Sequence, residues 1–175
     1  EEKNDYAKSI SEAARKLAQL ITNILKLNKL ENQQIPSHQV EYRLDEQIRQ
    51  SIVALEPAWE KKDIEFDVEL DRISYLGNEQ MMRHVWDNLI SNAIKFSPEG
   101  GVVKLRLTRK LRKLTVTVED QGPGLSAEAQ KHIFDKFYQA DSSHKQEGYG
   151  LGLAMVAQIL KLEGGTIAVE NIPAG

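Results

Sequence analysis

The stretch that decides the fold is residues 114–125, which read LTVTVEDQGPGL. Leu114, Val116 and Val118 alternate with polar residues, and this alternation predicts a strand with one buried face. The same period of two places Asp120 on the buried side. Because a buried carboxylate is costly unless it finds hydrogen-bond donors, we expect a specific partner for Asp120.

The glycines after this acid allow two interpretations. Gly122 and Gly124 let the backbone pass close to a flat ring or turn tightly. In the first case a purine amine would be the donor that Asp120 needs. In the second case, which the pattern supports equally, Asp120 caps a tight turn.

A second set of polar residues lies on the helix predicted over residues 78–96. At 100° per residue, Asn88, Asn92 and Lys95 lie within roughly 60° of one another. Amide oxygens can ligate Mg²⁺ and a lysine can meet a phosphate, although a solvated polar edge is the simpler explanation of this pattern alone. These three residues border a predicted core face that consists of Met82, Val85, Trp86, Leu89, Ala93 and Phe96.

Glycines are concentrated again in residues 148–153, GYGLGL, which open the last predicted helix. Free backbone N–H groups and the positive end of the helix dipole make such a turn suitable for phosphate. It is not a Walker P-loop, since no glycine of the chain is followed by lysine. It also lacks the spacing of a Rossmann fingerprint. A plain glycine-rich turn is the alternative.

The remaining hydrophobic pattern predicts an α/β fold. Strands that cluster into hairpins, with helices between them, indicate a two-layer α/β sandwich in which helices cover one face of a mixed sheet. The predicted helices are residues 45–61, 78–96 and 151–162. The predicted strands are residues 40–44, 64–70 with a short partner at 73–75, 103–107, 114–118 and 166–170.

The first 32 residues predict a long amphipathic helix. Two apolar series recur every seven residues and form a coiled-coil-like seam, which needs partner helices unless the helix packs on its own domain. A break at residues 32–36 separates this helix from the rest, so we expect one unit at residues 1–33 and another at 36–175. The two series are Ile10, Leu17 and Ile24, and Ala13, Leu20 and Leu27.

Composition excludes several classes of protein. The net charge of −3 gives no reason to expect nucleic acid. The basic cluster of residues 106–113 is interpreted as the solvated edge of a hairpin. There is no cysteine for a disulfide or thiolate metal site. No apolar run is long enough to span a membrane, and no membrane contact is expected.

The order of the signals resembles one protein family. An asparagine-bearing helix is followed by Asp-x-Gly-x-Gly at 120–124, IFDKF at 133–137 and Gly-x-Gly-x-Gly at 148–152. Together these resemble the catalytic domain of sensor histidine kinases, within the wider ATPase group of gyrase, heat-shock protein 90 and mismatch-repair proteins. The resemblance covers roughly residue 36 onward and implies a Bergerat-type ATP-binding fold. Residues 1–33 look like the second helix of the family's dimerisation and phosphoacceptor domain.

The resemblance implies roles for individual residues. Asn92 would coordinate Mg²⁺, with Asn88 as a second candidate ligand, and Lys95 would contact phosphate; these three would be the catalytic residues. Asp120 would bind the adenine. Phe134 and Phe137 would anchor an ATP lid over residues 139–147, in which His144 and Lys145 would approach the triphosphate. The implied ATP-binding residues are Asn88, Asn92, Lys95, Phe96, Asp120, Gly122, Gly124, Leu125, Phe137, Lys145, Gly148, Gly150, Leu151, Gly152 and Leu153.

The resemblance also implies a reaction. Hydrolysing members carry a glutamate where Asn88 stands, and an amide cannot act as that base. The domain should therefore keep the γ-phosphate of ATP for a histidine. No histidine here has the acceptor context, so the acceptor would lie on a missing helix of a homodimeric parent. A response regulator receiver domain would then take the phosphate.

Some features leave room for other functions. Tyr149 is bulkier than the small residue usual between those glycines, and the chain ends before the last strand of the family's sheet. A nucleotide-sensing binding module and an anti-sigma-type Ser/Thr kinase are the alternatives on this fold. The resemblance implies a cytoplasmic location, with the longer parent anchored in the cell membrane.

Overall fold

The computed structural model describes residues 2–32, 38–140 and 148–172. The predicted break at residues 33–36 and most of the predicted lid, including His144 and Lys145, lie outside the described residues. The helices are α1 Glu2–Glu31, α2 Leu44–Ala54, α3 Glu56–Lys61, α4 Glu79–Phe96, α5 Ala127–His132 and α6 Gly152–Leu162. The strands are β1 Val40–Arg43, β2 Glu65–Leu70, β3 Ser74–Gly77, β4 Val102–Lys110 and β5 Lys113–Glu119.

The described strands form two sheets. One has the order β2-β4-β5, with β4 parallel to β2 and antiparallel to β5, so this sheet is mixed as predicted. The other pairs β1 antiparallel with β3. The predicted pairing of residues 73–75 with the strand before them is therefore wrong. α4 crosses over between β3 and β4 and brings β4 alongside β2, a parallel arrangement that requires such a connection.

The helix predicted over residues 45–61 is two helices. α2 ends at Ala54, and α3 begins at Glu56 with a proline in its first turn. Pro57 has no N–H to donate to the preceding turn, which ends the ladder of α2, while its fixed φ suits the start of a new helix. The Trp59 indole donates to the Ile52 carbonyl at 2.9 Å and holds the two helices together.

One face of β4 lies at the centre of the core. Val103, Leu105 and Leu107 are fully buried there under α4 and α6. On the opposite face, Arg106 forms an ion pair with Asp67 of β2. The helices therefore cover one face of the sheet, as the alternating pattern predicted.

The core face of α4 differs in part from its prediction. Met82, Val85, Trp86 and Ala93 are buried as expected, and Leu89 is half-buried. Phe96 is 38% exposed, so its assignment to the core is wrong. It lies on the last residue of the helix, where α4 emerges from the core.

α1 contacts the rest of the chain through its C-terminal turns. Leu27 and Leu30 are buried, and Leu27 packs against Leu151 and Ala154 at the start of α6. The alternative that the long helix packs on its own domain therefore holds for these C-terminal turns. The other apolar series remains exposed, at 70% for Ile10, 57% for Leu17 and 38% for Ile24. None of the helices within the described ranges has the length and apolarity to cross a membrane.

Residues 166–170 are not a strand, contrary to prediction. Burial alternates as expected, with Ile167 and Val169 half-buried and their neighbours exposed. Within the described part of the chain, however, no backbone ladder joins this segment to the sheet. Alternation reports which side chains face the core, whereas a strand also needs a neighbour at hydrogen-bonding distance.

Candidate functional site

The start of α4 is held by a capping residue. The Asn78 side-chain oxygen accepts a hydrogen bond from the Met81 N–H at 3.1 Å. This N-cap satisfies one of the donors that a helix start leaves free. The Glu163 carboxylate, at the end of α6, accepts a hydrogen bond from the Asn78 N–H at 3.3 Å. The start of α4 is thus joined to the end of α6.

The end of α4 is held by Lys62, a residue that sequence analysis did not identify. Its ammonium donates hydrogen bonds to three carbonyl oxygens that have no helical partner. A cation here also suits the negative end of the helix dipole. The last turn, which carries Lys95, is thereby positioned from a distant segment that no sequence pattern marks. The three distances are 2.8 Å to Ile94, 2.9 Å to Lys95 and 2.6 Å to Ser97.

Asn88 faces the glycine-rich turn. Its side-chain nitrogen donates to the His84 carbonyl at 2.7 Å, which leaves the Oδ1 atom directed toward the start of α6. A Cβ placed on Gly152 would lie only 2.6 Å from this oxygen. The structure thus brings the polar residues of α4 into contact with the glycine-rich turn, and a side chain at residue 152 would displace the Asn88 amide.

Asn92 and Lys95 lie farther along α4. Asn92 is half-buried, and its amide has no hydrogen-bond partner in the described part of the chain. The Lys95 ammonium lies 5.0 Å from the centre of the Phe96 ring. A Cβ on Gly148 would stand 3.6 Å from the same ammonium. The lysine therefore lies next to the glycine-rich turn as well.

Asp120 is exposed, so the expectation of a buried carboxylate is wrong. β5 ends one residue earlier, and the Asp120 Oδ1 atom accepts a hydrogen bond from the Gly122 N–H at 2.8 Å. This oxygen caps a turn, which is one of the two interpretations of the sequence. The other carboxylate oxygen makes no hydrogen bond among the described residues.

The Asp120 turn packs directly on the end of α4. A Cβ on Gly122 would lie 3.1 Å from the Phe96 carbonyl oxygen and 3.3 Å from the Phe96 Cβ atom. Such separations are tighter than side chains normally accept. The Asp120 turn is thereby adjacent to the polar residues of α4, with Phe96 between Asp120 and Lys95.

Asn171 holds the second half of this loop and was not identified from sequence. Its amide oxygen accepts from the Leu125 N–H at 2.9 Å, and its amide nitrogen donates to the Leu125 carbonyl at 2.8 Å. Gly124 takes a left-handed φ of 73°, and a Cβ there would lie 3.0 Å from the same amide oxygen. Because Asn171 is 46 residues from Leu125, no local pattern could predict the pair.

The two ends of the predicted lid meet at Gly150. The Phe137 N–H donates to the Gly150 carbonyl at 2.9 Å, and the Gln139 side chain donates to the Gly148 carbonyl at 2.6 Å. Gly150 has a φ of 67°, and a Cβ there would stand 2.5 Å from the Tyr138 carbonyl oxygen. Only glycine fits this crossing of two backbone segments.

The leucines of the glycine-rich turn face different surroundings. Leu151 is buried against Leu27 of α1, so its side chain faces the long helix. Tyr149 packs on the same cluster, which is how the chain accommodates this bulky residue. Leu153 is half-buried in the first turn of α6.

A short helix, α5, precedes the IFDKF motif and was not predicted. The Ser126 hydroxyl caps it by accepting from the Ala129 N–H at 3.1 Å. At its end, His132 lies between Asp135 at 2.7 Å and Glu128 at 3.1 Å. The hydrogen bond with Asp135, supported by Glu128, raises the pKa of His132 above its ordinary value.

The sequence pattern of the family described as "Histidine kinase-, DNA gyrase B-, and HSP90-like ATPase" matches residues 77–175. This range contains α4, the Asp120 turn and the glycine-rich turn. The chain belongs to this ATPase family.

The curated relatives of this ATPase domain are sensor kinases. The heme sensor protein HssS of Staphylococcus saprophyticus is 34% identical over 97% of the chain and 36% of its own length. The adaptive-response sensory kinase SasA of Crocosphaera subtropica is 35% identical over 91% of the chain and 42% of its own length. The chain thus spans about two fifths of these relatives, and it carries the ATPase domain of a sensor histidine kinase. None of these relatives is named as an anti-sigma kinase.

Solved structures of histidine kinases share the fold. Full-length ShkA in complex with AMPPNP matches 98% of the chain and 36% of its own, with a TM-score of 0.85 and 27% identity. The structure of histidine kinase ThkA in complex with the response regulator protein TrrA matches 95% of the chain and 47% of the ThkA chain, with a TM-score of 0.74 and 26% identity. The predicted α/β fold with a preceding long helix is confirmed.

Proposed function

We propose that this domain binds Mg-ATP and donates the γ-phosphate to a histidine on a dimerisation helix outside the chain, for relay to a response regulator. The bond between the γ-phosphorus and the ADP oxygen would break as a bond to an imidazole nitrogen forms. The residues of the domain would contribute positioning and charge, which dominate phosphoryl transfer.

The observation that carries the proposal is the convergence of two separate turns, the glycine-rich turn and the Asp120 turn, on the C-terminal half of α4. Each stretch alone has a simpler explanation, but their contact makes one continuous surface of amides, a cation and glycine backbone. A binding site for a nucleoside triphosphate explains such a surface better than a solvated helix edge does. The contacts are Asn88 with Gly152, Lys95 with Gly148, and Phe96 with Gly122.

The phosphates would lie at the start of α6. Backbone N–H groups of the turn that includes Gly148, Gly150 and Gly152 would donate to them, assisted by the helix dipole. Lys95 would supply a positive charge beside the same turn. Phe137 would mark the hinge of the lid, because it pairs with Gly150. Lys145 would reach the phosphates from the lid.

The donor set fits Mg²⁺ when phosphate oxygens complete it. Asn92 would hold the ion through an amide oxygen that no other described group engages. Asn88 is the second candidate ligand. Mg²⁺ in nucleotide sites takes few protein ligands and keeps phosphate and water oxygens. When bound, the ion would neutralise charge on the phosphates.

The adenine would lie over the Asp120 turn. One Asp120 oxygen holds the Gly122 N–H, which leaves the other to accept from the exocyclic amine. Because this carboxylate is exposed, the turn avoids the cost of burying a charge. Phe96 offers an apolar surface nearby, and Leu125 lies on the loop that Asn171 holds.

Asn88 favours transfer over hydrolysis. Its amide nitrogen donates to the His84 carbonyl and its oxygen faces Gly152, so the side chain is held in place. An amide in this position cannot take a proton from water at neutral pH. The γ-phosphate would therefore be retained for the acceptor histidine.

The long helix would belong to the dimerisation and phosphoacceptor domain, at residues 1–33, with the catalytic domain from residue 36. The exposed series of Ile10, Leu17 and Ile24 supports this division, since an exposed apolar stripe needs partner helices. The parent would be a homodimer anchored in the membrane with this part in the cytoplasm. The similarity to ThkA, which is solved with a response regulator, supports a receiver-domain partner.

Calorimetry tests nucleotide binding first. We expect heat on titration with Mg-ATP, and at about 100 times the Kd the folded state should gain about 2.7 kcal/mol. For a domain of this size that gain raises the melting temperature by about 5–11 °C. A folded sample that shows neither heat nor thermal stabilisation would remove the proposed site altogether.

Asp120→Asn tests the adenine contact. Asparagine keeps an oxygen to cap the Gly122 N–H, so the turn should survive, but it removes the charged acceptor. We expect adenine nucleotide affinity to fall by about tenfold or more. Unchanged affinity, measured by the same calorimetry, would exclude Asp120 from the site.

A transfer assay separates kinase from binding module. The chain is mixed with Mg-ATP labelled at the γ-phosphate and a separate fragment bearing an acceptor histidine. Acid-labile, alkali-stable label on that fragment is the expected result, and Asn92→Ala should abolish it chiefly by removing the Mg²⁺ ligand. Tight ATP binding without label would favour a nucleotide-sensing module, and acid-stable label would favour a Ser/Thr kinase.

A further inference from the structure

The hairpin between β4 and β5 ends in a strongly basic tip. We define the basic tip as residues 109–113, which read RKLRK and carry four positive charges and no acid. All five residues are exposed. No ion pair joins any of the four cations to a described acid. Arg109 donates one hydrogen bond, to the Ser74 carbonyl at 3.2 Å.

Leu111 stands at the apex of this tip. It is 98% exposed, and its φ of 55° lies in the left-handed region. A two-residue hairpin turn with positive φ at its first position normally has glycine there. A leucine in this place carries backbone strain and exposes a full apolar side chain, so neither local structure nor packing explains it.

The last rung of the ladder adds a third unfavourable feature. Lys110 of β4 pairs directly with Lys113 of β5. Like charges placed opposite each other weaken a hairpin. Three departures from local stability within five residues are the pattern expected at a functional surface rather than a passive edge.

We propose that the basic tip docks end-on to an anionic lipid surface, with Leu111 inserted between headgroups and the four cations at headgroup level. The cations all lie within one or two residues of the apex, about 3.4 Å per residue along the strand, so they can meet a flat surface together. Each basic residue near an anionic leaflet strengthens attraction, and insertion of an apolar side chain adds to it. The contact is peripheral, and it departs from the absence of membrane contact expected from composition.

Other macromolecules fit the tip less well. The cores of protein interfaces are enriched in aromatic residues and depleted of lysine, whereas the tip has two lysines and a single aliphatic side chain. Single-stranded nucleic acid would need aromatic rings for stacking, and the tip has none. The chain as a whole has a net charge of −3, so attraction to an anionic membrane would come from the basic tip and not from the overall charge.

Co-sedimentation of the chain with vesicles tests the proposal. Vesicles of phosphatidylcholine alone are compared with an equimolar mixture of phosphatidylcholine and phosphatidylglycerol. We expect binding to the mixed vesicles that weakens with salt, and little to the neutral ones. Removing two charges with the pair Lys110→Ala and Arg112→Ala should lower the partition coefficient by about 30-fold. The control pair Lys61→Ala and Lys161→Ala makes the same change in net charge away from the tip and should bind as the parent chain does.

Leu111→Gly separates insertion from charge. It removes the apolar side chain and relieves the left-handed backbone, so the melting temperature should stay equal or rise while vesicle binding falls by about three- to tenfold. ATP affinity should be unchanged in all these variants, so the outcome is independent of the nucleotide site. Equal binding to neutral vesicles, an equal loss in the control pair, or no effect of Leu111→Gly would overturn the proposal. Tip-dependent binding to an acidic protein but not to vesicles would overturn it as well.

Discussion

At the scale of single residues, the site depends on glycines that admit neighbouring side chains. Gly152 is the clearest case, because a Cβ there would lie 2.6 Å from the Asn88 Oδ1 atom. The atom in the way is the end of a side chain, so the fold can adjust by moving Asn88. The glycine therefore determines where Asn88 points, and its effect should appear in function before stability.

Gly152→Ala is expected to displace the Asn88 amide. Nucleotide affinity and phosphoryl transfer should both fall, by about tenfold in the transfer rate if one positioned group is lost. The melting temperature should change by only a few degrees. Gly165→Ala is the control, since the nearest atom to its Cβ is 3.5 Å away. A variant with full transfer activity would contradict the placement of Asn88 by Gly152.

Lys62 acts at the same scale through the backbone. Lys62→Met keeps the length of the side chain but removes the three hydrogen bonds to the end of α4. We expect the last turn to fray, with faster hydrogen exchange around Phe96 and weaker ATP binding. Lys61→Met is a suitable control, because Lys61 is exposed and makes no such bonds among the described residues. Equal exchange in both variants would show that Lys62 does not position this turn.

At the scale of elements, α1 and α6 meet beside the glycine-rich turn. Leu27 packs on Leu151 and Ala154, and Lys136 of the IFDKF motif pairs with Glu31. A cleft of about 240 Å³ lies between these elements, lined by residues that include Phe137. The end of the long helix therefore touches both the glycine-rich turn and the IFDKF motif.

Leu27→Ala is expected to loosen the docking of α1. Deletion of a buried leucine side chain removes apolar contacts and leaves a gap. Hydrogen exchange in the last three turns of α1 should accelerate while α4 stays protected. Leu17→Ala makes the same change at a site that is 57% exposed, and it should leave these turns as they were. If Leu27→Ala also had no effect, the docking of α1 would not contribute to its stability.

At the scale of the whole molecule, an ion pair joins the small sheet to the helical layer. The buried Asp45 carboxylate receives a hydrogen bond from the Arg43 guanidinium at 2.8 Å and one from the Ile73 N–H at 3.3 Å. The hydrogen bond from Arg43 lowers the pKa of Asp45 below its ordinary value. The stabilisation is therefore present above the unfolded-state pKa of about 4 and is lost as the pH falls through the folded-state pKa.

Asp45→Asn tests this pH dependence. At neutral pH the variant should melt about 3–9 °C below the parent chain, because asparagine keeps an acceptor oxygen but removes the charge that strengthens the hydrogen bonds from Arg43 and Ile73. The difference should shrink as the pH falls below about 4 and be lost as it passes through the lowered folded-state pKa of Asp45. Asp71→Asn, an exposed site, should differ little from the parent at either pH. A difference that stayed constant down to pH 2 would rule out ionisation of Asp45 as its source.

Corrections to the sequence-based predictions share one cause. By the period of two, Asp120 would face the same side as Val118. However, β5 ends before Asp120, and its side chain turns back to Gly122. Residues 74–77 have strand character, but they pair with β1 instead of β2. Periodicity reports which way side chains point within one segment, and it carries no information about which segment comes next to it.

The amino-acid sequence alone determined the family, the order of the site motifs, α4, α6 and the β4–β5 hairpin. These follow from hydrophobic periodicity, helix caps and glycine spacing, which depend on residues that are close together in the sequence. Only the tertiary structure decided that Lys62 holds the end of α4 and Asn171 the loop at Leu125, that Asp120 is exposed, and that Leu151 faces α1. Each of these depends on contacts between residues far apart in the chain, which exist only after the helices have packed on the sheet.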